Sequence, residues 1–237
     1  MQQPTTALAI LFTDVVGSTS LWEMDPDWMG PVMARHDRLL ESAVGATGGR
    51  LIKGLGDGIL AVFPTSIDAV RAAIDAQRLL ASEPPEGLGL DVRMAVHFGE
   101  TLERQEDVFG PAVIRCSRLV DAAHGGQILV SDSAARTLRD SGVELLDLGS
   151  HHLRDLAEPI RIHQAVVDDL PRDFPSLRTL HAFAHNLPTR LSSFVGRETE
   201  LREVSDLLAD HRFVTLTGPG GSGKTRVALQ VGADTLD

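Results

Sequence analysis

The sequence predicts an α+β fold, on three observations. Strand-like runs rich in Val, Ile and Leu alternate with helical patterns in the order β, α, β, β, α, β. The run LIKGLGDGIL joins two of those strands through a Gly-rich turn short enough for an antiparallel hairpin. The 237 residues, 43% hydrophobic, can bury one such core and leave several tens of residues over. Together these describe a ferredoxin-like split βαβ unit, a βαββαβ core with its helices on the sheet.

Each element follows from its pattern. The strands are expected at TALAILFTDVV, RLIKGLG, GILAVF, LDVRMAVHFGE, GQILVS and RIHQAVV. Helical spacing covers Asp27 to Val44, Ser66 to Leu80, Pro111 to Ala123 and Ser131 to Leu138, with Ser66 and Ser131 placed as N-caps and Gly48 and Gly125 as stops. The first unit is expected over 1–168. Beyond it, VDDLPRDFPSLRTLHAFAHNLP has three prolines and no sustained period, so 169–192 reads as a linker. GRETELREVSDLLADH then has helical spacing, and RFVTLTG reads as a strand leading into GPGGSGKT.

Composition excludes several roles. A net charge of −11 is the wrong sign for displacing phosphate counterions, so no direct nucleic-acid binding is expected. No run reaches the ~18 apolar residues of a membrane helix, and no basic leader precedes the first apolar stretch. A cytoplasmic chain is expected. The single cysteine, Cys116, rules out an intrachain disulfide framework and reads as a small apolar residue on a helix.

Two carboxylates stand out. Asp14 ends an apolar strand and precedes VVGST, where small residues let backbone N–H groups approach an anion; an N-cap aspartate is the plainer alternative. Asp57 sits at the hairpin tip, a place where Asp often serves the turn alone. Two such aspartates can hold two divalent cations if their strands are neighbours.

FTDVVGSTSLW, LIKGLGDGILAVF and VFGPAVIRCSRLVDAAHGGQILVS, in that order across residues 7–167, resemble the signature blocks of class III adenylyl and guanylyl cyclases. The GG(D/E)EF hairpin of the related diguanylate cyclases is missing. The resemblance implies a site at a homodimer interface, with metal aspartates from one protomer and some base-reading and arginine groups from the other. Asp14 and Asp57 match the aspartates that hold two Mg2+ or Mn2+ ions, with the Val15 carbonyl completing the shell. Lys53 matches the purine-selecting lysine and Asp107 its acidic partner. A Lys donor and an Asp acceptor suit adenine's N1 and 6-amino group, whereas guanine reverses that pattern, so ATP is the expected substrate. Arg118 matches the arginine that stabilises charge on the α-phosphate, and Arg154 falls where family members often carry a cation for the terminal phosphates. The segment TLERQE resembles the reduced dimerisation arm of one bacterial subgroup.

One residue departs from the family pattern. Ile114 stands where an Asn usually holds the ribose, which predicts slowed turnover of ATP to cyclic AMP and pyrophosphate. The alternative is a weak or inert cyclase-homology module that pairs or senses nucleotide within a transcriptional regulator. The adjacent His151 and His152 would face opposite sides of a strand and read as surface histidines.

Residues 193–237 resemble the opening of a STAND or AAA-type P-loop ATPase, as in large LuxR-type bacterial regulators. GPGGSGKT fits Walker A, with Gly218, Gly223, Lys224 and Thr225 in the required places. An acidic strand for Walker B is absent from the 12 residues after Thr225, so a truncated, incomplete ATPase is expected.

Overall fold

The computed structural model describes residues 5–82, 89–138, 141–179, 197–211, 213–219 and 223–234. It divides into two compact units, Met1–Ala182 and Phe183–Asp237.

The first unit is built on β1 (Thr5–Val15), whose run of apolar residues is buried from both sides. Ala9, Leu11 and Val15 face one core, with α2 (Pro26–Ala46) and α3 (Ser66–Ser82); Ile10 and Phe12 face the other, with α4 (Pro111–Asp121). A strand covered on both faces cannot alternate with polar residues, which explains its continuous hydrophobic reading. β2 (Arg50–Gly54) and β3 (Ile59–Phe63) form the expected hairpin, and β4 (Val92–Arg104) lies on the other side of β1. β5 (Asp107–Phe109) folds back on β4. β6 (Ile128–Ser131), β7 (Glu144–His151) and β8 (Ile160–Val166) extend the sheet to the order β2-β3-β1-β4-β6-β8-β7, in which β4 and β6 are a parallel pair. The mixed α+β sheet with its split βαβ core is as the sequence predicts.

Local chemistry sets the helix starts. The Asp25 carboxylate accepts the Trp28 N–H at 3.0 Å, and Pro26 opens α2 where no N–H partner is needed. Ser131 caps α5 (Asp132–Ala135) as expected, but Ser66 does not cap α3. Thr65, one residue earlier, accepts the Asp68 N–H at 3.3 Å, and Ser66 is buried in the first turn. α1 (Ser18–Met24), β5 and β7 are additions to the sequence reading.

Packing on the first unit continues past residue 168, where its end was expected. Residues 169–179 belong to the first unit: Leu177 is buried against α4, and the Arg178 N–H donates to the Ala122 carbonyl at 3.1 Å. The Arg78 guanidinium clasps Asp169 through two bonds of 2.8 Å. Isolated apolar residues docking on a preformed surface leave no period for sequence reading to find. Residues 180–192 of the expected linker, and 193–196 of the segment after it, lie outside the described residues.

In the second unit α6 (Glu198–Asp210) is the expected helix, and α7 (Lys224–Asp234) starts at the Walker lysine. The strand expected at RFVTLTG is a correction, since residues 213–217 join no ladder and Phe213 is 83% exposed. β-propensity expresses itself through pairing, and this unit has no strand among its described residues. Nor is any described helix long and apolar enough to cross a membrane.

Candidate active site

The β2–β3 hairpin brings the two aspartates together. Its tip closes through Leu55 N–H to the Gly58 carbonyl, 2.8 Å, with Gly56 at φ +98°. The tip is then fastened to the end of β1: the Val15 N–H donates to the Asp57 carbonyl and the Ile59 N–H to the Thr13 hydroxyl, each at 3.0 Å. Gly58 permits this approach, because a Cβ there would lie 1.8 Å from the Thr13 carbonyl oxygen. Asp14 therefore ends β1 beside the loop that carries Asp57.

Each carboxylate has its own donor. Ser18, at the start of α1, donates its hydroxyl to Asp57 Oδ2 at 2.5 Å. Arg93, on β4, donates to Asp14 Oδ2 at 2.7 Å. Burial pushes the Asp14 carboxyl above the usual carboxylate range; Arg93 pulls it back, and the charges of Asp57 and Asp121 push it up again. Two neighbouring carboxylates with one strongly paired guanidinium make an anionic pocket suited to added positive charge. Among the described residues no group of three or more His, Cys, Asp or Glu surrounds a point where an ion could sit. The donor set is two carboxylates with a strand-end backbone, which fits Mg2+ or Mn2+ completed by phosphate oxygens and water rather than a closed protein cage.

Lys53 lies on the same hairpin, on β2. Its Nζ donates to Asp107 Oδ2 at 2.7 Å and stands 5.7 Å from the centre of the Phe109 ring. Lys53 holds the Asp107 carboxyl below its ordinary range, helped by the Val108 N–H on the other oxygen. Gln105 and Glu106, at φ +51° and +67°, make the β4–β5 turn that presents Asp107. Lys53 and Asp107, 54 apart in sequence, are thus a hydrogen-bonded pair.

Arg118 projects from α4 and is held by Asp155 at 2.9 Å and Asp121 at 3.5 Å. Arg154 is exposed in the turn next to Asp155, whose backbone takes φ +59°. Ile114, one turn before Arg118, is 53% exposed. His151 Nε2 donates to the Leu148 carbonyl at 2.9 Å, its Nδ1 lies 3.3 Å from the Thr179 hydroxyl, and the ring is half-buried. In the second unit the Lys224 ammonium donates to the Gly218 and Pro219 carbonyls at 2.8 Å, and Gly223 adopts φ +81° before Thr225 enters α7. Residues 220–222 of that loop lie outside the described residues.

Sequence reading missed Arg93, Ser18 and Asp121. A signal for Arg93 was present: a charged residue inside the apolar run LDVRMAV needs a partner if the strand is buried, and Asp14 lies opposite in antiparallel register.

Behind the site, His97 on β4 is buried with Nδ1 2.8 Å from the Ser131 hydroxyl. Burial, with Arg115 adding repulsion, lowers its pKa to about 4. Because the folded value lies below the unfolded one of about 6.5, the unfolded chain takes up this proton first, and stability falls as pH drops from about 6.5 to 4. The loss from this group is expected to reach about 3 kcal/mol. Urea unfolding of the parent and His97→Gln across that range checks it: the variant's curve is expected to be flatter, and parallel curves would remove His97 as the cause.

The sequence and the fold both have known relatives. The family model for the adenylate and guanylate cyclase catalytic domain matches residues 1–164. Rv0891c of Mycobacterium tuberculosis, an uncharacterised protein, is 34% identical over 204 residues, covering 84% of this chain and 70% of that protein. An adenylate cyclase of Podospora anserina is 29% identical over 66% of this chain, which spans 10% of that much longer protein. Among solved structures, one of adenylate cyclases from Trypanosoma brucei in their monomeric state superposes with TM-score 0.67 at 23% identity, covering 75% of this chain and 95% of that one.

Proposed function

The chain belongs to the family of adenylate and guanylate cyclase catalytic domains, and from that premise we propose that it converts ATP to cyclic AMP and pyrophosphate, slowly, in sites completed by a homodimer. The observation that carries this reading is the hairpin docked on β1, which sets Asp57 beside Asp14 and presents Lys53 to Asp107.

Asp14 and Asp57, with the Val15 carbonyl, are the residues to hold two Mg2+ or Mn2+ ions. Bound there, the ions supply positive charge that activates the ribose 3′-hydroxyl and grips the triphosphate. The chain's own groups do the rest. Lys53 donates to adenine N1 while Asp107 accepts from the 6-amino group, and their mutual bond keeps both in place before the base arrives. Arg118, released from Asp155, meets the charge that develops on the α-phosphate as pyrophosphate leaves, and Arg154 meets the terminal phosphates. The exposed Leu55, Phe109 and Ile114 around these groups suit burial against a second copy. Gly218, Gly223, Lys224 and Thr225 are read as a phosphate cradle of a STAND-type unit in a cytoplasmic multidomain regulator.

The test is product formation by the full chain with ATP or GTP, and Mn2+ or Mg2+. Metal-dependent cyclic AMP is expected; a preference for GTP would defeat the Lys53–Asp107 assignment, and absence of any cyclic product would favour the second reading. That reading, an inert pairing or nucleotide-sensing module, is favoured by one feature, the apolar Ile114 in place of a ribose-binding Asn.

Ile114→Asn separates the two. The side chain is 53% exposed in the single chain, so the change is expected to alter the protomer's own stability by no more than about 0.5 kcal/mol, with a larger cost of about 1 to 3 kcal/mol falling on its burial against the second copy. Restoring one hydrogen bond to the ribose is expected to raise kcat about tenfold to a hundredfold, with a smaller change in KM. A folded, dimeric variant no faster than the parent would place the defect elsewhere.

A further inference from the structure

Arg93 is ion-paired with Asp14, and its geometry is that of a fixture. Asp14 and Arg93 are direct partners across the β1–β4 ladder. Nε donates to Oδ2 at 2.7 Å, and Nη2 is in ion-pair contact with the same oxygen at 2.7 Å. Nη1 donates to the backbone carbonyl of Asp121 at 2.9 Å, the Asp121 carboxylate stands 3.7 Å from Nη2, and the side chain is 17% exposed. A planar fork anchored to backbone at one end fixes the rotation of the carboxylate at the other. Both contacts fall on Oδ2, so the plane that Arg93 imposes also sets the direction of Oδ1.

We propose that Arg93 is the positioning residue of Asp14: it turns Oδ1 toward the divalent cation and, by its own charge, keeps that cation's binding loose. This rests on the reading of Asp14 as a metal ligand. The two effects act in opposite directions on measurable quantities. A positive charge in contact with a ligand carboxylate opposes an incoming dication, so removing it strengthens metal binding. Removing the fork also frees the carboxylate to rotate, and a misplaced ligand misplaces the oxygen that must attack. Arg93 thus exchanges affinity for alignment, which suits a site that takes up and releases a metal-bound nucleotide at every turnover.

The experiment titrates Mn2+ alone into the full chain at pH 8, reading free Mn2+ by electron paramagnetic resonance, beside steady-state cyclic AMP formation. Parent, Arg93→Gln, Arg93→Lys and Asp14→Ala are compared, with circular dichroism to confirm folding. Arg93→Gln is expected to bind Mn2+ about tenfold more tightly while kcat falls about tenfold to a hundredfold. Arg93→Lys, which keeps the charge and loses the fork, is expected to bind Mn2+ within about twofold of the parent and still lose about tenfold in kcat. A merely structural role would weaken binding and turnover together. Folded Arg93→Gln that binds Mn2+ no tighter than the parent overturns the proposal. If Arg93→Gln does not fold, Arg93→Lys decides: parental kcat overturns the proposal, and lost kcat with parental Mn2+ binding supports it. Asp14→Ala keeps the two failures apart. If it binds Mn2+ like the parent, the metal reading falls and Arg93 with it; if it loses binding while the Arg93 variants behave as parent, only the Arg93 proposal falls.

Discussion

Asp57→Ala is expected to lower cyclic AMP formation by about a thousandfold while leaving the domain folded. The position of residue 57 is set by its backbone carbonyl, which receives the Val15 N–H, and alanine keeps that bond. The carboxylate's recorded protein contact is the Ser18 hydroxyl, whose loss is worth about 1 kcal/mol. On the proposed reading, what disappears is one of two carboxylate ligands for ions that contribute several kcal/mol of charge stabilisation, hence the factor of about 10³. Asp57→Asn, with shape kept and charge removed, is expected to fall nearly as far. Steady-state kinetics beside a urea melt check both halves, and undiminished turnover in a folded Asp57→Ala would end the two-aspartate assignment.

Gly58→Ala is expected to damage stability and activity together. Its Cβ would meet the Thr13 carbonyl oxygen at 1.8 Å, the Thr13 carbonyl carbon at 2.6 Å and the Asp14 Cα at 3.0 Å. All three are backbone atoms of a central strand, so no side-chain end can swing aside. The hairpin tip must lift from β1, breaking the Val15–Asp57 and Ile59–Thr13 bonds, at a cost of roughly 4 kcal/mol. Gly56→Ala provides the contrast: it has open space but φ +98°, so about 1 to 2 kcal/mol of backbone strain is expected. Equilibrium denaturation ranks the pair, and Gly58→Ala as stable as Gly56→Ala would show that the tip does not dock as described.

Elements with a strong local pattern were legible in the sequence: β1 by its unbroken apolar run, the β2–β3 hairpin by its glycines, α2 to α4 by their period. β7 was not, because ELLDLGSH is largely exposed and has no clean alternation. β5 is three residues long, too short to carry a period. The packing of 169–179 depends on single contacts such as Leu177 under α4, which only the folded surface defines. At the site, spacing and resemblance named Asp14, Asp57, Lys53 and Asp107, and the pairing of Lys53 with Asp107 appears as a direct bond. The residues that orient the carboxylates were hidden because each comes from an element remote in sequence: Arg93 is 79 residues from Asp14, and Ser18 is 39 from Asp57.

The central place of β1 also sets a clock on synthesis. β1 leaves the ribosome before the strands that pair with it, and its long ladder joins Thr5 to Leu102 and Val15 to Val92, separations of 97 and 77 residues (102 − 5 and 92 − 15). At about 5 to 20 residues per second, β4 follows β1 by roughly 4 to 20 seconds. During that interval ALAILF is an unpaired apolar segment, the kind that invites pairing between nascent chains. The β2–β3 hairpin, complete about 40 residues earlier than β4 by the same synthesis order, can cover one of its edges first. The bond that fastens the Asp57 carbonyl to Val15, the neighbour of Asp14, therefore belongs to the earliest pairing that shelters β1.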